Sequence, residues 1–453
     1  MKRFWRLYRP HYRETRRLAL PVIIAQVGQI TVGLADSMMI GHLGKTPLAA
    51  AAFANTLFSL PLIFGMGFAM AITPLVGNAL GKEKWQELIT LKKSAFISNI
   101  LMALVLIGAI AGLYMVMPHM RQPDSILPLS QPYFIIIGCS IVPLMLFLAG
   151  KQVAEGLSNT RISMYITITA NVLNIIGNYL LIRGHWGFPE MGLNGAGLST
   201  LVARIVMAIL MIIAMRKMPL LHKYSRLFPV KNTLHQLKSL YQLGLPMGLH
   251  MFAEASAFIM AGIMMGWISE TGLAAHQIVM SLSTFGFMLY QGIGVSTTIR
   301  VSQLTARQVP ALVKRASSAS IQVVVVMVVI ISSLFLILRH WLPQLFTNEP
   351  DVIALASQLV VILVVFQLFD AFQIIYSGIL RGMSDAKVPG LLTFISYFVV
   401  AIPFSYWAAF HGGFKEQGIW FGFPLGLGVC AVLFYFRINR LMQVQLKQVK
   451  ASC

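Results

Sequence analysis

The sequence predicts an all-α membrane protein whose twelve transmembrane helices form two pseudo-symmetric six-helix bundles. Three observations carry this expectation: an apolar composition, apolar runs of membrane-spanning length, and an internal repeat. Of 453 residues, 57% are hydrophobic and 11% charged, and the mean hydropathy is +0.76. A solvated surface needs more polar residues than that, so the chain requires a nonaqueous solvent. Helices are the expected spanning form, because barrel strands show as short alternating segments instead.

Runs long enough to cross about 30 Å of hydrocarbon at the helical rise define the elements. The first six are Leu18–Ile40, Ala49–Gly77, Ala95–Met117, Pro132–Ala154, Ile162–Ile182 and Gly192–Met215. The second six are Met247–Ile268, Ala274–Val295, Ala319–Leu338, Val352–Ile379, Val388–Phe410 and Gly418–Phe436. These divide the chain into a basic segment 1–17, an N-lobe 18–215, a basic linker 216–240, a C-lobe 241–436 and a tail 437–453. The apolar run after Met1–Arg17 is too long for a signal-peptide core, so that segment is expected to be retained. Cys139, Cys430 and Cys453 are too far apart for a short metal-site spacing, and the first two read as small packing residues.

Charge fixes the expected orientation. Of the 35 Lys and Arg, 29 fall in the two tails and in every second loop, counted from the N-terminus. The alternate loops hold Lys45, Arg121, Arg183, Arg339 and Lys415, and Arg204 lies inside the sixth span. Positive charge concentrates on the cytoplasmic side, so both termini are expected there, in a cell inner membrane. The net charge of +21 therefore reads as topology and lipid-headgroup contact rather than a nucleic-acid surface, which would need a basic patch on a soluble scaffold.

A shift of 225 residues aligns Leu18, Leu20 and Pro21 with Leu243, Leu245 and Pro246, and Thr46, Leu48, Ala49 and Ala50 with Thr271, Leu273, Ala274 and Ala275. Thr73 and Val76 then meet Thr298 and Val301, and one residue later Gly156–Arg161 meets Gly382–Lys387. Because the offset covers six helices, an even number, the halves are expected to be parallel repeats about an axis along the membrane normal, with a central cleft suited to alternating access. Channels and membrane enzymes are also duplicated, so the repeat alone does not establish transport.

Three acidic residues stand well inside spans: Asp36 in the first, Glu254 in the seventh and Asp370 in the tenth. A carboxylate there faces a wet cavity, holds a cation or takes up a proton, unless neighbouring helices satisfy it. On the fifth span Asn171, Asn174 and Asn178 are spaced by three and four residues and so share a helical face. With Thr200 of the sixth span they are placed to orient Asp36, although a lone Asn reads first as an interhelical hydrogen bond. Glu254 and Asp370 are expected to share one cation or one proton, and oxygen ligands of this kind suit Na⁺. His250 and His276 read as hydrogen-bonded packing. The 26 methionines and the aromatic residues offer a plastic lining for varied apolar cations, though most belong to packing or the lipid face.

With these residues in place, the chain resembles the multidrug and toxic compound extrusion (MATE) family, in particular its NorM-like branch, over nearly its whole length. The resemblance rests on Pro21, Ala35–Gly44, Asn174–Tyr179, Gly192–Thr200, Ala274–Gln277, Ser296–Val301, Glu254 and Asp370. It implies two six-helix lobes forming a V-shaped cleft, and exchange of cationic amphiphilic drugs for inward-moving Na⁺ or H⁺, with no cofactor beyond the coupling ion. It assigns Asp36, Asn174, Asn178 and Thr200 to an N-lobe coupling site and Glu254 and Asp370 to a C-lobe cation site. Some relatives carry Asp at the place of Asn178 and Tyr at that of Phe366. The expected partners are small cationic or amphiphilic molecules and the bilayer, with the protein a monomer. Two rivals stand beside this reading. A lipid-linked precursor flippase shares the two-lobed architecture but tends to line its cleft with cations, whereas the mid-span charges here are mainly acidic. A membrane enzyme would need a metal cluster, nucleophile elbow or phosphate loop, and the sequence offers none in a suitable context.

Overall fold

The computed structural model describes residues 2–120, 122–123, 125–228 and 233–452, which are helical with short connections. Arg121, Asp124, residues 229–232 of the expected linker and the two terminal residues lie outside that description. Twelve helices are long and apolar enough to cross a membrane. The first six are Arg6–Gly41, Lys45–Gly81, Trp85–Met120, Leu127–Gly156, Thr160–Arg183 and Gly192–Lys217. The second six are Thr233–Ile268, Glu270–Ala306, Pro310–Ile337, Pro350–Gly382, Lys387–Phe410 and Lys415–Gln448. The fold is therefore all-α with the expected number of spans.

Several helices run beyond their apolar stretches. The seventh begins at Thr233, 14 residues before the apolar run starting at Met247. Hydropathy registers only the part that meets hydrocarbon, whereas helical hydrogen bonding continues through the polar turns at its end.

Three spans are interrupted, each just before a proline. The second breaks at Met70–Ala71, ahead of Pro74, and the fourth at Ser140, ahead of Pro143. The eleventh widens into a π-helix over Ile395–Ala401, ahead of Pro403. In each case the proline cannot donate to the carbonyl four residues back, so the loosened turn falls at that carbonyl. Pro21, Pro246 and Pro424, by contrast, are accommodated within continuous helices.

The chain forms two compact units, Ile24–Gly248 and Met1–Ile23 with Leu249–Cys453. Their boundaries fall inside the first and seventh helices rather than in the loops. The first unit has a core that includes Phe68, Leu88, Leu91, Met102, Phe134 and Phe147. The second packs around Tyr290, Phe366, Tyr397, Trp420 and Phe434. Leu104 and Val105 on the third helix, and Val326, Val329 and Ile330 on the ninth, are exposed apolar residues of the kind a lipid face requires. Cys430 is buried, but Cys139 is exposed, so the packing expected of both holds only for Cys430.

The repeat extends to atomic detail. Glu83 and Gln308 both have φ 57°, while Ser158 and Ser384 have φ 62° and 61°. Each closes a helix by the same device, in which the next residue's N–H bonds the carbonyl five residues back: Lys84 to the Ala79 carbonyl at 3.0 Å, Val309 to Leu304 at 3.4 Å, Asn159 to Ala154 at 2.8 Å and Asp385 to Leu380 at 3.0 Å. Gly156 and Gly382 mark matched helix crossings. A Cβ at either would stand 2.7 Å from the Cβ of Val76 or Val301, and 2.9 or 3.0 Å from the carbonyl oxygen of Thr73 or Thr298. The hydroxyls of those threonines donate to the carbonyls of Gln152 and Gly378, each at 3.0 Å.

Candidate functional site

In the unit Ile24–Gly248, the fifth helix turns Asn174 and Asn178 toward Asp36 on the first. Asn178 Nδ2 donates to Asp36 Oδ1 at 2.5 Å. With the Asn174 amide oriented to satisfy its surroundings, its nitrogen donates to the same oxygen at 2.9 Å and its oxygen accepts from Thr200 Oγ1 at 3.2 Å. Asp36, Asn174, Asn178 and Thr200 thus form one connected network, with the asparagines buried and Asp36 and Thr200 half-buried.

Small residues make this approach feasible. A Cβ at Gly177 would stand 2.4 Å from Ser199 Oγ, and one at Gly195 2.6 Å from the Leu181 carbonyl oxygen, so the fifth and sixth helices touch through glycine. Asn171 lies one turn along, facing Gly28, where an added Cβ would come 3.0 Å from its amide nitrogen. That buried nitrogen has no partner, so Asn171 extends the polar face without joining the hydrogen-bonded set.

The second unit holds Glu254 and Asp370. Asp370 is buried and Glu254 half-buried, and their charges lie within electrostatic reach of each other. Tyr397, inside the π-helical stretch of the eleventh helix, donates its hydroxyl to Glu254 Oε1 at 3.2 Å. Gln373 also hydrogen-bonds Glu254, and Arg381 is near enough to attract it. Tyr290 OH donates to Gln367 Oε1 at 2.7 Å.

Phe366 does not face this polar set as a ligand would. Its ring packs edge-on against Trp420 and Phe423, both with centroids at 6.0 Å, and against Phe258 at 6.1 Å. The phenol group that reaches Glu254 comes instead from Tyr397. Sequence reasoning missed that residue because one tyrosine in an apolar run looks like any other aromatic. Its signal is the proline six residues on, which opens the π turn that holds it.

The histidines behave as packing groups. His250 Nε2 shares a hydrogen bond with Thr393 Oγ1 at 3.0 Å, and the His276 ring lies 5.6 Å from that of Trp420. No three His, Cys, Asp or Glu converge as metal ligands among the described residues. What the two networks offer is carboxylate oxygens, steered by neutral amides and a hydroxyl, at membrane depth. Such groups take up a monovalent cation or a proton at modest structural cost.

A sequence profile of the MatE family matches residues 21–180 and 246–407, one stretch in each half of the repeat. The chain belongs to the MATE family. Its full-length relatives include the probable multidrug resistance protein NorM of Rhizobium meliloti, 33% identical over 443 residues that cover 96% of this chain and 94% of the relative. The corresponding NorM of Agrobacterium fabrum is 29% identical over 97% of this chain and 96% of its own. Among solved structures, the eukaryotic MATE transporter AtDTX14 superposes with a TM-score of 0.87 at 16% identity, covering 98% of this chain and all of that one. An outward-facing MATE family transporter of the MOP superfamily gives 0.86 at 17% identity, over 96% of each chain. At that identity the structures establish the shared fold. This MATE protein is thus a multi-pass membrane transporter and not an enzyme, with full-length sequence likeness to NorM proteins.

Proposed function

We propose that this MATE protein is a cation-coupled multidrug antiporter of the inner membrane, with both termini cytoplasmic. It exports cationic or amphiphilic small molecules in exchange for inward-moving Na⁺ or H⁺, by alternating access. In this reading the two six-helix halves, 18–215 and 241–436, are joined by the basic linker 216–240, and the protein works as a monomer. Asp36, Asn174, Asn178 and Thr200 form the N-lobe coupling site, and Glu254 and Asp370 the C-lobe site.

The observation that carries the proposal is the setting of the carboxylates. Asp36 is held by two neutral amides and makes no ion pair with Lys or Arg among the described residues, while Glu254 takes a phenol and an amide with Arg381 near enough to attract it. A carboxylate kept only for structure is best served by a close countercharge, whereas one that must bind and release an ion is best left with neutral, oriented partners. The family and the NorM names of its relatives favour drugs as the cargo. Differential affinity of the ion for two conformations then supplies the coupling.

The test is efflux of a fluorescent lipophilic cation from proteoliposomes in which a Na⁺ gradient or a pH gradient is imposed alone. One of the two must drive accumulation against the dye gradient. Failure of both, with folded protein in the bilayer, would contradict the proposal.

A further inference from the structure

In the unit Ile24–Gly248, two helix ends carry cations that no acid answers. Lys92 stands three residues before the apolar run Ala95–Met117, and Arg216 directly follows the run Gly192–Met215. Both therefore sit where hydrocarbon gives way to headgroups. Arg216 acts electrostatically on Lys92, so like charges from the third and sixth helices share one place. The fourth helix brings them there. A Cβ at its Gly150 would collide with Met211 and stand 3.4 Å from Phe96 Cζ, so both neighbours pack on that glycine. Phe96 is one turn from Lys92, and Met211 about a turn and a half from Arg216. The acids at this end of the unit are engaged elsewhere. Glu87 Oε2 lies 3.6 Å from Lys84 Nζ and Glu155 Oε1 3.9 Å from Lys151 Nζ, while Glu83 is exposed in the turn before the third helix. Among the described residues Lys92 and Arg216 enter no ion pair.

Each cation ends an apolar stripe. On the sixth helix Val202, Ile205, Ile209 and Ile213 are exposed at spacings of three and four, which make one face that runs out at Arg216. On the third helix the exposed Leu104, Leu101 and Ile100 give way, toward the basic end, to Lys93 beside Lys92. A short helix, Pro219–Leu227, covers the two ends. It follows the sixth helix after Met218, buries Leu221, and lays Tyr224 face to face on Trp85 at the start of the third, with ring centroids 4.3 Å apart. Its Lys223 and Arg226 are exposed. A basic amphipathic helix of this kind lies in the headgroup layer. Cations held together without an acid, above apolar surface on two helices, match a molecule with a phosphate at one end and hydrocarbon at the other.

We propose that the adjoining ends of the third and sixth helices form a binding site for an anionic phospholipid, whose phosphate Lys92 and Arg216 receive while its acyl chains follow the two apolar stripes. The guanidinium fork and the lysine ammonium both suit phosphate oxygens, and Lys223 and Arg226 add positive potential from the short helix. The site stands apart from the coupling networks and does not depend on which ion or cargo is carried. Cations that served only to set topology would meet every headgroup alike, with no preference for a lipid of net negative charge.

The probes are phosphatidylglycerol and phosphatidylcholine, which both carry a phosphate but of which only the first has net negative charge. The full-length protein in detergent is given equal amounts of the two, and native mass spectrometry counts the lipid it retains. Wild type is expected to retain phosphatidylglycerol in preference, a comparison that needs no variant. In a protein carrying Lys92→Gln and Arg216→Gln together, that preference is expected to fall about tenfold or more, the scale for two cations lost at a headgroup. It should persist in the charge-matched control Lys82→Gln with Lys238→Gln, whose side chains are exposed at the same end of the unit. Monodisperse gel filtration confirms that each variant is folded. Millimolar inorganic phosphate is expected to leave the bound lipid in place, and displacement by it would give the cations to a soluble phosphate and overturn the assignment. No preference in wild type, an undiminished preference without Lys92 and Arg216, or an equal fall in the control would overturn it as well.

Discussion

At the scale of single residues, the two networks differ in how their carboxylates are held, and the difference sets distinct expectations. Asp36 receives two amide donors on one oxygen. Substituting Asn178→Ala removes the shorter of these. A hydrogen bond to a charged group is worth about 1.5–3 kcal/mol, so ion-driven efflux is expected to fall by roughly tenfold or more at limiting ion concentration. Full efflux at limiting ion would show that Asn178 plays no part in holding the coupling ion. Glu254 receives its phenol at 3.2 Å with Gln373 and Arg381 also close to it, so loss of the hydroxyl alone is expected to matter less. Tyr397→Phe keeps the ring and removes the hydroxyl, and about 1 kcal/mol corresponds to a few-fold higher ion concentration for half-maximal efflux. An effect larger than that of Asn178→Ala would reverse the ranking argued here.

At the scale of elements, the matched crossings at Gly156 and Gly382 bring backbone against backbone where no side chain fits. Alanine at either should destabilise by about 1–3 kcal/mol, because the listening partner is a carbonyl oxygen and a branched Cβ rather than a flexible side-chain tip. Thermal loss of monodisperse protein in detergent reads this out, and the two variants should behave alike. A large effect at one and none at the other would mean the repeat is not equivalent in packing. The span count was legible in the sequence because a lipid solvent demands about 20 apolar residues each time. The interruptions at Met70–Ala71 and Ser140 and the π turn at 395–401 were not. A proline marks where a carbonyl loses its donor, but continuous helices also contain Pro21 and Pro246, so proline alone does not say which helix will break. The polar ends of the seventh and twelfth helices were likewise invisible to hydropathy, since water hides them from that measure without unwinding them.

At the scale of the whole molecule, duplication has kept the scaffold and let the chemistry diverge. The residue 225 positions after Asp36 is Ala261, which is buried in an apolar core, and Glu254 and Asp370 have no acidic counterparts at the same offset in the first half. Asp36, Asn174 and Asn178 could be read together because helical spacing puts them on one face. Tyr397 was not legible as a site residue. Tyr397 reaches Glu254 through a local π turn, which helical spacing alone does not show. Two unlike ion sites on a repeated frame predict unequal variants. Neutralising Asp36 and neutralising Glu254 or Asp370 should alter efflux with different ion dependences, and identical profiles would argue for a single shared site.

The central claim is that ion and drug exchange through these carboxylates, and counterflow reads it most directly. Proteoliposomes are loaded with the driving ion at equilibrium, a transported drug is added on one side, and the ion flux it provokes is followed with a Na⁺- or pH-sensitive dye. The account predicts a drug-dependent flux of one of these ions in wild type, abolished in a protein carrying Asp36→Asn, Glu254→Gln and Asp370→Asn together while that protein remains folded and inserted. Drug movement that carries no ion with it, or an undiminished ion flux in the triple variant, would contradict it.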